Sequence, residues 1–186
     1  MPALDDVFGL LLSLDAIKPH PSLPKRLGPL LRDLKNPVSS RDPGQLVELI
    51  HALWISNRDP MAENEMAEAI TAIDHGDSNR AYEVLLRLST LKPEWPEVSY
   101  KQAIVGLMKG QTEAAIGHLG DTLRLEPRHF AALSLFGQIC LDCDRLYEAR
   151  IALQKSIQIN PHLKGVKEAV LAIDRALDSP NNRLNG

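Results

Sequence analysis

Aromatic residues are scarce in this chain, at 4%, and Ala and Leu are abundant in their place. That balance points to helices packed through small and medium side chains. Cysteine is nearly absent: only Cys140 and Cys143 occur, spaced as CxxC. A structural zinc site takes four ligands, and no second pair accompanies them. The histidines (His20, His51, His75, His118, His129 and His162) are scattered without ligand spacing. A redox pair would open a helix after a strand, whereas this one falls late in a helix. Both are therefore read as structural thiols, and no metal or cofactor is expected. The cysteine count suits a reducing compartment.

No apolar run approaches the ~20 residues that span a bilayer. The stretch VFGLLLSL at 7–14 is short and follows Asp5 and Asp6, where a signal peptide carries Lys or Arg. It reads as an amphipathic helix, and no signal or transit peptide is visible. The expectation is a soluble protein of the cytoplasm or an organellar matrix, although the sequence does not decide the compartment. A basic surface is missing as well: the net charge is −3 and the pI about 6.1. Bulk nucleic-acid affinity needs the opposite balance, so none is expected. The exception is local. Residues 17–41 carry Lys18, Lys25, Arg26, Arg32, Lys35 and Arg41 against Asp33 alone, and with their prolines they read as a solvated connector. The motifs of enzymes are missing too: there is no Gly-rich phosphate loop, GxSxG, HExxH or EF-hand loop. Glu63, Glu65 and Glu68 lie at helical spacing as a solvated face. No enzyme activity is expected.

What the chain does have is a repeat. Pro93, Pro127 and Pro161 recur every 34 residues and close the similar phrases LSTLKP, LRLEP and IQINP. Counting back gives units at 62–95, 96–129 and 130–163. Gly76 and Gly110 share one position, taken by Asp144 in the third unit, where a tight turn between paired helices needs a permissive backbone. Small residues recur at Ala69, Ala103 and Gly137, and again at Ala81, Ala115 and Ala149, letting paired helices approach closely. Leu85, Leu119 and Leu153 supply a core position on the second helix, and each proline ends that helix.

Over 62–163 this pattern resembles the tetratricopeptide-repeat (TPR) family, a helix–turn–helix unit of that period. Glu65 and Ser99 stand where the family has a large apolar residue, which only Leu133 supplies, and Glu68 and Gln102 replace apolar residues three positions on. The strings LEPRHFAAL and NPHLKG, with Leu4, Asp5, Phe8 and Leu53-Trp54 upstream, more narrowly resemble small TPR proteins of alphaproteobacterial type. The resemblance implies an all-α, right-handed superhelix of three repeats over 59–163. N-terminal helices (1–58, with the connector 17–41) precede it and a capping helix (164–178) follows it.

The flanking helices can be read directly. A helix is expected from Leu4 to Ile17, with Leu4, Val7, Phe8, Leu11, Leu14 and Ile17 in one stripe. A second is expected to start near Ser22 as N-cap, burying Leu27, Leu30, Leu31 and Leu34. A third runs from Asp42-Pro43 to about Asn57, with Leu46, Leu49, Ile50, Leu53 and Trp54 on one face. Asp59-Pro60 opens the repeats. Lys164 to Leu177 is a terminal helix with Val166, Val170, Ile173 and Leu177 inward, and 179–186 is a polar, disordered tail. No strand pattern is found.

In the family the first helices of the repeats line a concave groove. Carried over position by position, its apolar lining is Met66, Ile70, Ile73, Tyr100, Ile104, Leu107, Met108 and Leu141, with Glu63, Asp74, Glu97 and Asp142 among its acidic members. An apolar surface of this kind marks a contact. Either a partner's helix or apolar segment lies there, or the chain's own N-terminal helices fill it, or copies self-associate. The Lys and Asn clamp of chaperone-tail-binding relatives is not matched: the corresponding residues are Met66, Ile70, Lys101, Ala131 and Leu135. The function expected from the resemblance is a protein-binding scaffold, adaptor or assembly factor, or else a permanent subunit of a larger complex.

Overall fold

The computed structural model describes residues 1–36 and 38–179, and the expected tail lies outside them apart from Ser179. It is all-helical, with ten α-helices and no strand among the described residues. The helices are α1 (Pro2–Leu12), α2 (Leu27–Lys35), α3 (Pro43–Ile55), α4 (Pro60–Asp74), α5 (Ser78–Leu91), α6 (Pro96–Met108), α7 (Thr112–Leu125), α8 (Phe130–Asp142), α9 (Leu146–Ile159) and α10 (Val166–Asp178). They form two compact units, Met1–Pro127 and Arg128–Gly186.

In the first unit α4 packs on α5 and α6 on α7 as helical hairpins, α5 and α6 also meet, and α4 touches α6. Their core comprises Met66, Ala69, Ala81, Leu85, Leu88, Trp95 and Val98. Ala115 lies so close to α6 that a Cβ on Gly106 would stand 3.2 Å from its own Cβ. In the second unit α8 packs on α9, with Gly137 against Leu153, and α10 packs on α9. Val170 and Ile173 of α10 are buried, while Val166 and Leu177 are half-buried.

Each hairpin turns in the same way. The amides of Asp77, Gln111 and Arg145 donate to the carbonyls of Ala72, Gly106 and Cys140 at 2.8, 2.7 and 2.8 Å. Those of Gly76, Gly110 and Asp144 donate to Ile73, Leu107 and Leu141, each at 3.0 Å. This paired set is the Schellman ending of a helix, which places its capping residue in the left-handed region. Gly76 (φ 77°) and Gly110 (φ 70°) adopt it freely, and Asp144 adopts it at 57°.

The polar intrusions in the first hairpin are explained by its partner helix. Glu65 lies 3.6 Å from Arg87, and Glu68 pairs with Arg80. Both ion pairs join α4 to α5 in place of apolar contacts. In the second hairpin Gln102 Nε2 donates to the Leu85 carbonyl at 3.5 Å.

The N-terminal region departs from expectation in two places. The first helix ends at Leu12 rather than Ile17: Ser13 Oγ donates back to the Leu10 carbonyl at 3.1 Å, and a 3-10 turn, Leu14–Ala16, follows. Ser22 is not an N-cap. Its hydroxyl is 2.8 Å from His20 Nδ1 and donates to the Glu94 carbonyl at 3.4 Å, and α2 starts later, at Leu27. By contrast Asp42 caps α3, accepting from Gln45 N, and Asp59 caps α4, accepting from Met61 N and Ala62 N.

Candidate functional site

The residues assigned to the groove divide by burial. Met66 is fully buried and belongs to the core of the first hairpin, so it presents nothing to a ligand. The expected groove position of Met66 is thus corrected: with Ala62 and Ala69 it belongs to the buried face of α4. Ile70 and Ile73, one turn and two turns on, pack half-buried on the same core. On α6 the positions 100, 104, 107 and 108 form one stripe at helical spacing. Tyr100, Ile104 and Leu107 are half-buried and Met108 is 40% exposed. α4 touches α6 in the first unit, and the partly open apolar residues of the two helices together constitute the candidate α4–α6 strip. Leu141 is half-buried on α8 in the second unit, and its carbonyl accepts from Asp144 N.

Two of the charges beside the strip pair with each other. Glu97 is buried, and its carboxylate lies 3.1 Å from Lys101 Nζ one turn on. The same ammonium stands 5.3 Å from the Tyr100 ring centroid. Burial, and secondarily the Glu97 charge, pushes the Tyr100 hydroxyl up to about 12, so it stays a neutral phenol. Lys101, which alone matched the family's carboxylate clamp, is thus engaged within its own helix.

The chain's own first helix goes elsewhere. α1 packs on α7, burying Leu4, Val7 and Leu11, and Ala3 N donates to Glu113 Oε1 at 2.8 Å, satisfying a free amide of its first turn. α3 packs with α2 and also meets α6, at whose N-cap Trp95 Nε1 donates to the Trp54 carbonyl at 2.7 Å, and its Ile55 packs on the core of the first hairpin.

Two cavities beside α3 lie outside the expected groove. One, of about 440 Å³, is lined by the basic side chains of Lys25, Arg26, Arg58 and Lys92 and by Trp54, Glu94 and Trp95. Arg58 lies on the α3–α4 turn at φ 62°, a strained value for a residue with a Cβ. Glu63 Oε1 holds that turn, accepting from Ser56 Oγ, Asn57 N and Arg58 N at 2.8, 2.8 and 3.0 Å. Those bonds, the Ser56 hydroxyl first, lower the Glu63 carboxyl below its usual range. Asp59 is lowered too, chiefly by Lys92, whose Nζ lies 2.8 Å away. The other cavity is an apolar trough of about 530 Å³ between α2 and α3, lined by Arg26, Pro29, Leu30, Arg41, Leu49, Ala52 and Leu53. The signal for it was present in the sequence. The stripes of α2 and α3 carry more apolar positions than their mutual packing buries: Leu27, Leu31 and Leu34 are enclosed and Leu30 is not, while Leu46, Ile50 and Trp54 are enclosed and Leu49 is 50% exposed.

Cys140 is buried, and burial pushes its thiol up to about 12, the opposite of an activated nucleophile. Among the described residues no cluster of His, Cys, Asp and Glu could hold a metal ion, and no helix is long and apolar enough to cross a membrane.

The described elements define an all-α protein built of helical hairpins. No family model matches the chain, and no curated protein does.

Proposed function

We propose that this chain is a TPR protein of three repeats and acts as a binding scaffold, adaptor or assembly factor, with no catalysis of its own. It holds an apolar segment of a partner protein against the α4–α6 strip. The TPR reading is supported by the hairpin turns, whose hydrogen bonds recur 34 residues apart from Asp77 to Gln111 to Arg145. The binding reading rests on one observation: Ile104, Leu107 and Met108 stay partly open although α1 has its own apolar face buried on α7.

Leu107→Glu tests it. A carboxylate in the middle of the strip should abolish capture of the partner from the native cell extract, with circular dichroism and thermal melting close to those of the natural protein. If both forms bring down the same multi-subunit complex, the chain is instead a built-in subunit held through another surface. If Leu107→Glu unfolds, the strip is core and the reading fails.

A further inference from the structure

The trough between α2 and α3 is a second surface, separate from the α4–α6 strip, and it differs from that strip in charge. Its floor is Pro29, Leu30, Leu49, Ala52 and Leu53, and its rim holds Arg26 and Arg41. Arg26 and Leu53 also line the neighbouring cavity, which carries Lys25 and Arg58 beside Glu94, and Lys92 in an ion pair with Asp59. Arg41 lies 3.4 Å from Asp33, with both side chains about half exposed. Lys25 and Arg26 form no ion pair among the described residues. This concentration of positive charge sits on a chain of net charge −3.

We infer that the α2–α3 face is a docking site for an acidic amphipathic helix of a partner protein. Leu49 and Leu53 stand one turn apart on α3 and face a trough closed on its other side by Pro29 and Leu30 of α2. Two packed helices with such a leftover ridge accept a third helix in the groove between them. Leucine-type side chains of the incoming helix fill the floor, and carboxylates one turn away meet Arg26 and Arg41 at the rim. The rest of the chain, acidic on balance, repels the same ligand, so the charge both steers and orients it. A nucleic acid fits less well, because the floor offers neither hydrogen-bonding groups for base edges nor an aromatic face for stacking.

The test uses the full chain and two synthetic helical peptides of about 18 residues, five turns each. They share one Leu face. Their other face carries Glu in one peptide and Lys in the other. Fluorescence anisotropy should show the Glu peptide binding and the Lys peptide not binding. Arg26→Glu should weaken the Glu peptide about tenfold or more, in the range of a reversed charge contact, and should raise affinity for the Lys peptide. Leu49→Glu, at an exposed site that leaves folding unchanged, should also weaken the Glu peptide, whereas Leu107→Glu should not. Equal binding of both peptides, no binding of the Glu peptide, or indifference to Arg26→Glu and Leu49→Glu overturns the inference. So does binding of phosphatidylglycerol vesicles that Arg26→Glu abolishes while the Glu peptide stays unbound, since the face then reads anionic lipid. Capture of the partner that Leu107→Glu leaves unchanged, with an intact peptide response, would remove the α4–α6 reading and leave this one standing.

Discussion

Gly120 of α7 sits against Val7 of α1 so closely that a Cβ on the glycine would fall 2.8 Å from Val7 Cγ2. The first helix docks where the second hairpin has no side chain. Ala would be a better helix former than Gly by about 1 kcal/mol, yet here its methyl overpacks the contact. Gly120→Ala is expected to give a net loss of stability of about 1 kcal/mol, the overpacking exceeding the propensity gain. Adding Val7→Ala should recover part of it, giving a favourable coupling of about 1 kcal/mol in a double-mutant cycle measured by urea denaturation. Strict additivity would mean that α1 does not depend on this contact.

This contact also marks where sequence reading stops. Ala3 and Glu113 are 110 residues apart, and nothing in the 1–17 stripe says which helix will cover it. The repeat was legible because its signals are local: Pro93 and Pro127 follow helix ends, Gly76 and Gly110 occupy left-handed turns, and Asp42 and Asp59 cap the helices that begin with Pro43 and Pro60. The groove assignment was a matter of face, and face alone does not give exposure. Met66 and Ile70 lie one turn apart on α4, yet one is core and the other half open. The start of α2 was misplaced because Ser22 resembles a cap in sequence, while its hydroxyl is taken by Glu94, a residue 72 positions away.

Ala115 tests the close approach within the second hairpin. It is fully buried, and its Cβ lies 3.2 Å from where a Cβ of Gly106 would stand. Arg at 115 has no room and would bury a charge, so it should abolish the cooperative unfolding transition of the hairpin. Gly106→Ala asks for a shift of only a few tenths of an ångström and should cost about 1 kcal/mol or less once its helix propensity is counted. A cooperative melt for Ala115→Arg would place that side chain at the surface.

Glu63 should make the α3–α4 turn sensitive to acid. Its folded carboxyl is lowered from 4.5, first by the Ser56 hydroxyl and then by the amides of Asn57 and Arg58. A carboxyl lowered on folding contributes stability that is complete above its unfolded value and is lost as pH falls through its folded value. Glu63→Gln removes this contribution, so the stability difference between the natural protein and the variant should be constant from neutral pH down to about 5 and shrink below that. Asp59 titrates in both proteins, and because its charge acts on Glu63 only as the smallest of the causes, its own titration cancels for the most part. Denaturation midpoints taken across this range check it, and a difference that grows on acidification contradicts the assigned bonds.

Asp144 and Cys140 allow the second unit to be probed by chemistry. Asp144 holds φ 57° in the turn position that glycine fills in the other two hairpins. Removing its Cβ should stabilise the unit, and Asp144→Gly is expected to gain up to about 1 kcal/mol. Cys140, two residues before the end of α8, is buried with its thiol pushed up to about 12, whereas Cys143 is half-buried beyond the helix end. Iodoacetamide at pH 8 should therefore modify Cys143 in the native protein and reach Cys140 only when the α8–α9 hairpin opens. The rate at Cys140 then reports the free energy of opening. It should rise with urea and fall up to about fivefold in Asp144→Gly at the same denaturant concentration, the kinetic equivalent of that gain. Equal labelling of both thiols without denaturant would show that Cys140 is accessible in the native state.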